Sequence, residues 1–297
     1  MFIGELAALG TAVCWSFTAL FFSYSGRRIG ADVVNRSRLL FAILFLMLTH
    51  RLTLGTYWPT QAEPFRWFWF SISSILGLVI GDTLLFRAYA TLGARLSMLI
   101  MATVPIFSAL FDWLLFREIL TRPEFLAVIL TVSAVGWVVT ESPGQQDANQ
   151  AREYRLGLFY AFGGALGQVA NLVTAKYGLT DNYSPLSATL IRIFVATLIL
   201  WLIAAYQGQI RQTFQLWRHR QAFPAMIGGS IAGPFLGIWL SLIAVQFAPL
   251  GIASTLMALP PILILPLDAI STRTLPSARA IIGTVAAVIG VALLFMT

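Results

Sequence analysis

Charge is scarce in this chain. Only 10% of its 297 residues are Asp, Glu, Lys or Arg, against about a quarter in a soluble domain. Histidine is scarcer still. His50 and His219 are the only two, and neither lies within a metal-binding motif, which excludes a zinc hydrolase and leaves no metal or cofactor to expect. Cys14 is the single cysteine, so no internal disulfide forms; it reads as a small apolar helix residue. There is no glycine-rich nucleotide loop followed by Lys, which removes an ATP-driven engine. Gly81-Asp82 is preceded by Val79-Ile80, so the Gly-x-Gly-Asp pattern of an intramembrane aspartyl protease is absent as well. These gaps argue against an enzyme.

What fills the chain is hydrophobic. Apolar residues make up 58% of it, and the mean hydropathy is +0.82. They fall into ten runs: 2–24, 33–50, 66–89, 94–116, 123–140, 155–178, 184–206, 223–246, 249–270 and 277–296. A bilayer core about 30 Å thick takes about 20 residues of helix. Within lipid the backbone must satisfy its own hydrogen bonds, so such runs are helical. The expectation is an all-α membrane protein with ten transmembrane helices and no room for a soluble domain. No Lys or Arg precedes the first run, so it reads as a retained helix and not a cleaved signal. The net charge of +7 sits in loops and at helix ends, where it anchors to lipid headgroups; nucleic acid is not a partner.

The chain is also duplicated. Ser73, Gly77 and Gly81 precede Pro105, Asp112 and Arg117; Gly229, Gly233 and Gly237 precede Pro261, Asp268 and Arg273. From Gly77 to Gly233, Pro105 to Pro261 and Asp112 to Asp268 the offset is 156 throughout (261 − 105 = 156), and Met101 and Met257 obey it too. The polar stretch beginning Ser142-Pro143-Gly144 divides a first five-helix repeat, 1–140, from a second, 155–297, with a linker over 141–154. Five is odd, so the second copy is inverted relative to the first, the arrangement of secondary transporters, whose substrate site lies near the midplane beside broken helices. Pro105 and Pro261, each within a hydrophobic run, predict kinks there. The connections after odd-numbered helices carry the more Arg (Arg27, Arg28, Arg95, Arg155, Arg218), which by the positive-inside rule puts both termini outside.

These features resemble the EamA-type domain of the drug/metabolite transporter superfamily. The resemblance rests on two five-helix units, an Arg early in the second helix of each (Arg38, Arg192), a short bend between third and fourth helices, and the prolines Pro105 and Pro261. Phe116-Arg117-Glu118-Ile119-Leu120 is similar to the family's glycine-glutamate turn, with Arg117 in place of the glycine; Thr274 stands where the second copy would repeat Glu118. The resemblance covers nearly the whole chain. It implies export of amino acids or other small metabolites, a bacterial cytoplasmic membrane, and cytoplasmic termini, the opposite of the loop-charge count.

Charged groups inside a membrane usually mark function. Asp82 is the foremost candidate, either as a proton or substrate-amine site or as a structural pair with Arg38 or Arg87. Arg87 is suited to a substrate carboxylate. Arg38 and Arg192, near repeat mates, read as anion recognition and gating or as helix-end anchors. Trp15, Tyr89 and Trp239 are candidate pocket aromatics, Gln168 and Asn171 candidate polar contacts, and Met101 and Met257 an adaptable lining; packing is the alternative for each. Asp112 and Asp268 read as helix-end caps. The polar residues are scattered and form no pore stripe, which favours a carrier over a channel. The expected partners are a small-molecule solute, the lipid bilayer and protons, with the chain acting as monomer or homodimer.

Overall fold

A computed structural model describes residues 3–104, 106–107, 122–140, 148–180, 183–247 and 256–295, and every described element is helical. Pro105, Asp112, the turn 116–120 and the first half of the linker lie outside those residues. The first repeat contains α1 (Ile3–Ile29), α2 (Ala31–Leu54), α3 (Pro64–Thr91), α4 (beginning Ala94–Met101) and α5 (Arg122–Val139). The second contains α6 (Ala148–Gly178), α7 (Pro185–Tyr206), α8 (222–247), α9 (Pro260–Thr272) and α10 (Ala278–Phe295). A two-turn helix, Ile210–Leu216, joins α7 to α8. α1, α3, α6, α7 and α8 each contain a stretch long and apolar enough to cross a bilayer unaided; α5, α9 and α10 are shorter apolar helices. The chain is an integral, multi-pass membrane protein.

Local chemistry sets the ends. Pro64 and Pro185 open α3 and α7 at positions where a missing N–H costs nothing. Ser184 caps α7 by accepting the Ser187 amide at 3.4 Å. The bend between α3 and α4 turns on Gly93, at φ 87°, a conformation side chains resist.

The duplication is visible in the backbone. α3 contains a π-helical segment, Ile75–Gly81, and α8 contains another, Ile231–Gly237, displaced by the same 156 residues. α4 breaks after Met101, with turns at Ala102 and Thr103, and the segment leading into α9 breaks after Met257 at Ala258 and Leu259. Beyond the breaks the helices restart with matching bonds, Phe107 N–H to Thr103 O at 2.9 Å and Leu263 N–H to Leu259 O at 3.1 Å. Proline therefore acts differently from the expected mid-helix kink. The interruption in the second repeat comes first, and Pro260-Pro261 then sit in the first turn of α9, where they begin a helix.

The relation between the halves is read from α5 and α10. A Cβ built on Gly290 would lie 3.1 Å from Ala127 O, and one on Gly283 3.3 Å from Ala134 O. Subtracting 156 from 283 and 290 gives 127 and 134, so the two contacts exchange under the repeat. Thr131 donates to the carbonyl of its own mate, Ala287, at 3.4 Å. A helix pair that maps onto itself while running antiparallel has its two-fold axis across the helices, hence in the membrane plane. The repeats are inverted.

In the core the halves interlock. α3 packs on α6 and α8 on α1, each across the repeat boundary. A Cβ on Gly167 would lie 2.7 Å from Gly81 Cα, and one on Gly77 2.6 Å from Asn171 Cβ. Their mates Gly233 and Gly237 meet Thr18 and Trp15 instead. Small residues thus bring α3 and α6 to backbone contact, the packing that substitutes for hydrophobic drive in lipid. Gly167→Val is expected to destabilise the protein by about 1–3 kcal/mol by overpacking, whereas Gly136→Ala, at a position with nothing within 4 Å of an added Cβ, leaves it unchanged. Thermal unfolding in detergent, read by tryptophan fluorescence, checks both.

Candidate functional site

Where α3 touches α6, a chain of polar side chains crosses the interior. It starts on α2, where Asn35 Nδ2 donates to Thr83 Oγ1 at 3.0 Å and, at 3.4 Å, to Leu78 O in the π-helical segment. Asn35 Oδ1 accepts from Arg38 Nε at 3.0 Å. Arg38 Nη2 forms an ion pair with Asp82 Oδ2. The other Asp82 oxygen accepts from Gln168 Nε2 on α6 at 2.7 Å, and Gln168 Oε1 accepts from Asn171 Nδ2 at 3.0 Å. Asn171 Oδ1 takes two donors at 2.6 Å, Arg192 Nη2 from α7 and Ser73 Oγ from α3. Ser74 Oγ donates to Arg192 O at 2.6 Å, which ties α3 to α7.

This chain is buried. Arg38 is 5% exposed, Asp82 6% and Asn171 5%. The Arg38 guanidinium also lies over the Phe86 ring, 4.7 Å from its centroid, and 5.8 Å from that of Phe22. Two guanidinium groups face one carboxylate, so the cluster carries a net positive charge. Arg192 is the less satisfied: its Nε is buried with no hydrogen-bond partner. Removing either half of the Arg38–Asp82 pair leaves a buried charge unmatched, which costs several kcal/mol.

Of the sequence candidates, Asp82, Arg38, Gln168, Asn171 and Arg192 come together here. Asp82 pairs with Arg38 and not with Arg87, which instead grips Asp32 through Nε and Nη2 at 3.2 and 3.1 Å near the end of α3. Tyr89 and Met101 belong to the apolar cluster against Phe22 and Phe86, with Trp15 at its edge. Trp239 lies beside Phe235, and Met257 packs with Ala7, Ala8 and Ala244, away from the polar chain. Asn35, Ser74, Phe22 and Phe86 were missed. Asn35 had a signal: Asn35-Arg36-Ser37-Arg38 is an unbroken polar stretch at the start of a membrane helix. The aromatic partners had none, since they contact Arg38 only through the fold.

A cleft of about 670 Å³ opens between the halves at the membrane face where α1, α3 and α9 end. Arg27, Arg28, Arg95, Glu153 and Asp268 line its mouth, and Ser23 lies deeper along its wall. Ser23 Oγ donates to Tyr89 O at 2.9 Å; Tyr89 packs against Phe86, which faces Arg38. A short relay of contacts thus separates cleft from ion pair. Asp268 faces this cleft four residues before α9 ends. At the other end of α1, Ala7 and Ala8 meet Ala244, Leu240 and Met257 in an apolar cluster.

An inverted helical duplication with broken helices and buried charges between its halves defines a membrane carrier architecture. The EamA-like transporter family matches the chain over residues 2–140 and 155–296, and the chain belongs to that family. It is a membrane transporter of small solutes. A solved chain described as "Crystal structure of protein" is similar in fold, with a TM-score of 0.67 at 16% identity over 98% of this chain and 95% of that one. No curated protein matches.

A double-mutant cycle tests the ion pair. Arg38→Gln and Asp82→Asn are each expected to cost about 3–5 kcal/mol, and the double variant less than their sum by about 0.5–3 kcal/mol. Reversible unfolding in mixed micelles measures the coupling; strict additivity would show that the pair does not act as one.

Proposed function

We propose that this chain is a secondary transporter that exports amino acids or related small metabolites by alternating access, driven by protons. The observation that carries the reading is the charge imbalance of the buried cluster, two arginines to one aspartate at the junction of the repeats. A solute bearing a carboxylate answers that imbalance. Its carboxylate would meet Arg192 in place of the Asn171 amide, and a solute amine would compete with Arg38 for Asp82. Bidentate geometry makes guanidinium the suited group for the first contact.

Asp82 is the coupling residue in this scheme. A proton on its carboxyl would abolish the charge that holds Arg38 and turn Gln168 from donor to acceptor. α2, α3 and α6 would then be free to part at the glycine contacts. The breaks after Met101 and Met257 supply hinges in both halves. A cleft at one face, with an apolar cluster around the opposite end of α1, supports access from one side at a time. In this reading the termini face the cytoplasm of a bacterial cell, as the family resemblance implies and against the loop-charge count. The two halves of one chain complete the cluster between them, so a single chain suffices, alone or within a homodimer.

Proteoliposomes given individual amino acids, with and without a pH gradient, test the proposal. Saturable flux that rises with the gradient is expected, and flux that never saturates, at channel-like rates, overturns the carrier reading. In Asp82→Asn vesicles any remaining flux is expected to ignore the gradient. Unchanged coupling there removes Asp82 from the mechanism.

A further inference from the structure

A second arginine is buried without an anion, and it lies outside the central cluster. Arg36, on the first turns of α2, is only 4% exposed. Its Nη1 donates to the neutral amide oxygen of Gln209 at 2.9 Å, and its Nε is buried with no hydrogen-bond partner. The nearby carboxylate, Asp32, is taken: both of its oxygens accept from Arg87. Arg36, Arg87 and Asp32 together leave one positive charge unanswered.

These three line a groove of about 290 Å³ between α2, α3 and α7. Its remaining wall is mostly apolar: Ile80 and Leu84 from α3, Leu200 and Ile203 from α7. Ile80 and Ile203 are exposed, so the groove opens to the side, toward lipid. Depth follows from helix ends. Arg36 is the sixth residue of α2, Arg87 lies four residues before the end of α3, and Gln207 directly follows α7. At 1.5 Å per residue all three lie within roughly 8 Å of one membrane face, the level of headgroups. Trp201, whose Nε1 donates to Arg36 O at 3.2 Å, and Trp217 form an aromatic belt beside them.

We propose that this groove is a binding site for an anionic phospholipid. Its phosphate sits against Arg36 Nε and the Arg87 guanidinium, and one acyl chain runs along Ile80, Leu200 and Ile203. The site is independent of the solute site and stands whether or not the transport reading holds. A zwitterionic lipid fits the apolar wall equally well but brings its own cation to a place already positive. Charge selectivity is therefore the signature.

Native mass spectrometry of the detergent-purified full chain tests it, with phosphatidylglycerol or phosphatidylcholine of identical acyl chains added in turn. Phosphatidylglycerol is expected to be retained at roughly five- to tenfold lower concentration than phosphatidylcholine. Arg36→Gln should erase that preference. Should Arg36→Gln fail to fold, Ile203→Trp, which fills the groove without touching its charges, should lower phosphatidylglycerol occupancy instead. Millimolar inorganic phosphate should leave the bound lipid in place. Equal retention of the two lipids, selectivity that survives Arg36→Gln, occupancy that survives Ile203→Trp, or displacement by phosphate, which would make this a free-anion site, overturns the proposal.

Discussion

The buried Arg38–Asp82 pair is the constraint around which the interior is arranged. A guanidinium and a carboxylate removed from water each need several hydrogen-bonding partners, and lipid supplies none. The chain answers with amides. Asn35 orients Arg38, Gln168 takes the second carboxylate oxygen, and Asn171 carries the line on to Arg192. Because these residues come from α2, α3, α6 and α7, solvating one ion pair also fixes how the two halves meet.

That arrangement requires α3 and α6 to come unusually close. Gln168 reaches Asp82 because Gly81 and Gly167 let the backbones touch. The π-helical segment contributes as well. It precedes Asp82 directly, and it leaves Leu78 O within reach of the Asn35 side chain. Such segments are uncommon and favour functional places. Here the same distortion recurs in α8, where Ile238 follows it in place of Asp82. The backbone device is shared by both copies, while the carboxylate belongs to one. The two halves are alike mechanically and unlike chemically.

The fold was largely legible in the sequence. Runs of apolar length gave ten helices, and the 156-residue offset marked the stretches in which the helix breaks recur, while the π-helical form of the glycine segments was not legible. The site was legible in part. Asp82, Arg38, Gln168, Asn171 and Arg192 stood out because an ionisable or amide group is conspicuous against hydrocarbon. Which charge pairs with which was not legible. Arg87 is five residues from Asp82 in sequence, yet it turns to Asp32, because α2 brings Arg38 closer. Nor could spacing show that Tyr89 and Met257 pack in apolar clusters and Trp239 beside Phe235, since an aromatic or thioether looks alike in a lining and in a packed face. The expected kink at Pro261 takes another form: the backbone interrupts at Ala258 and Leu259, as it does at Ala102 and Thr103 in the first copy, and Pro260-Pro261 then start a helix.

The contact between α5 and α10 has a geometric consequence for any cycle of motion. In an inverted duplication the second conformational state can be written as the first with the two halves exchanging shapes. Contacts away from the symmetry axis, such as α1 with α8 and α3 with α6, are carried by that exchange into different contacts. A contact on the axis is carried into itself. Thr131 against Ala287 is such a contact, flanked by Gly283 and Gly290 in mirrored positions. The α5–α10 pair is therefore the part of the molecule that such an exchange would leave in place.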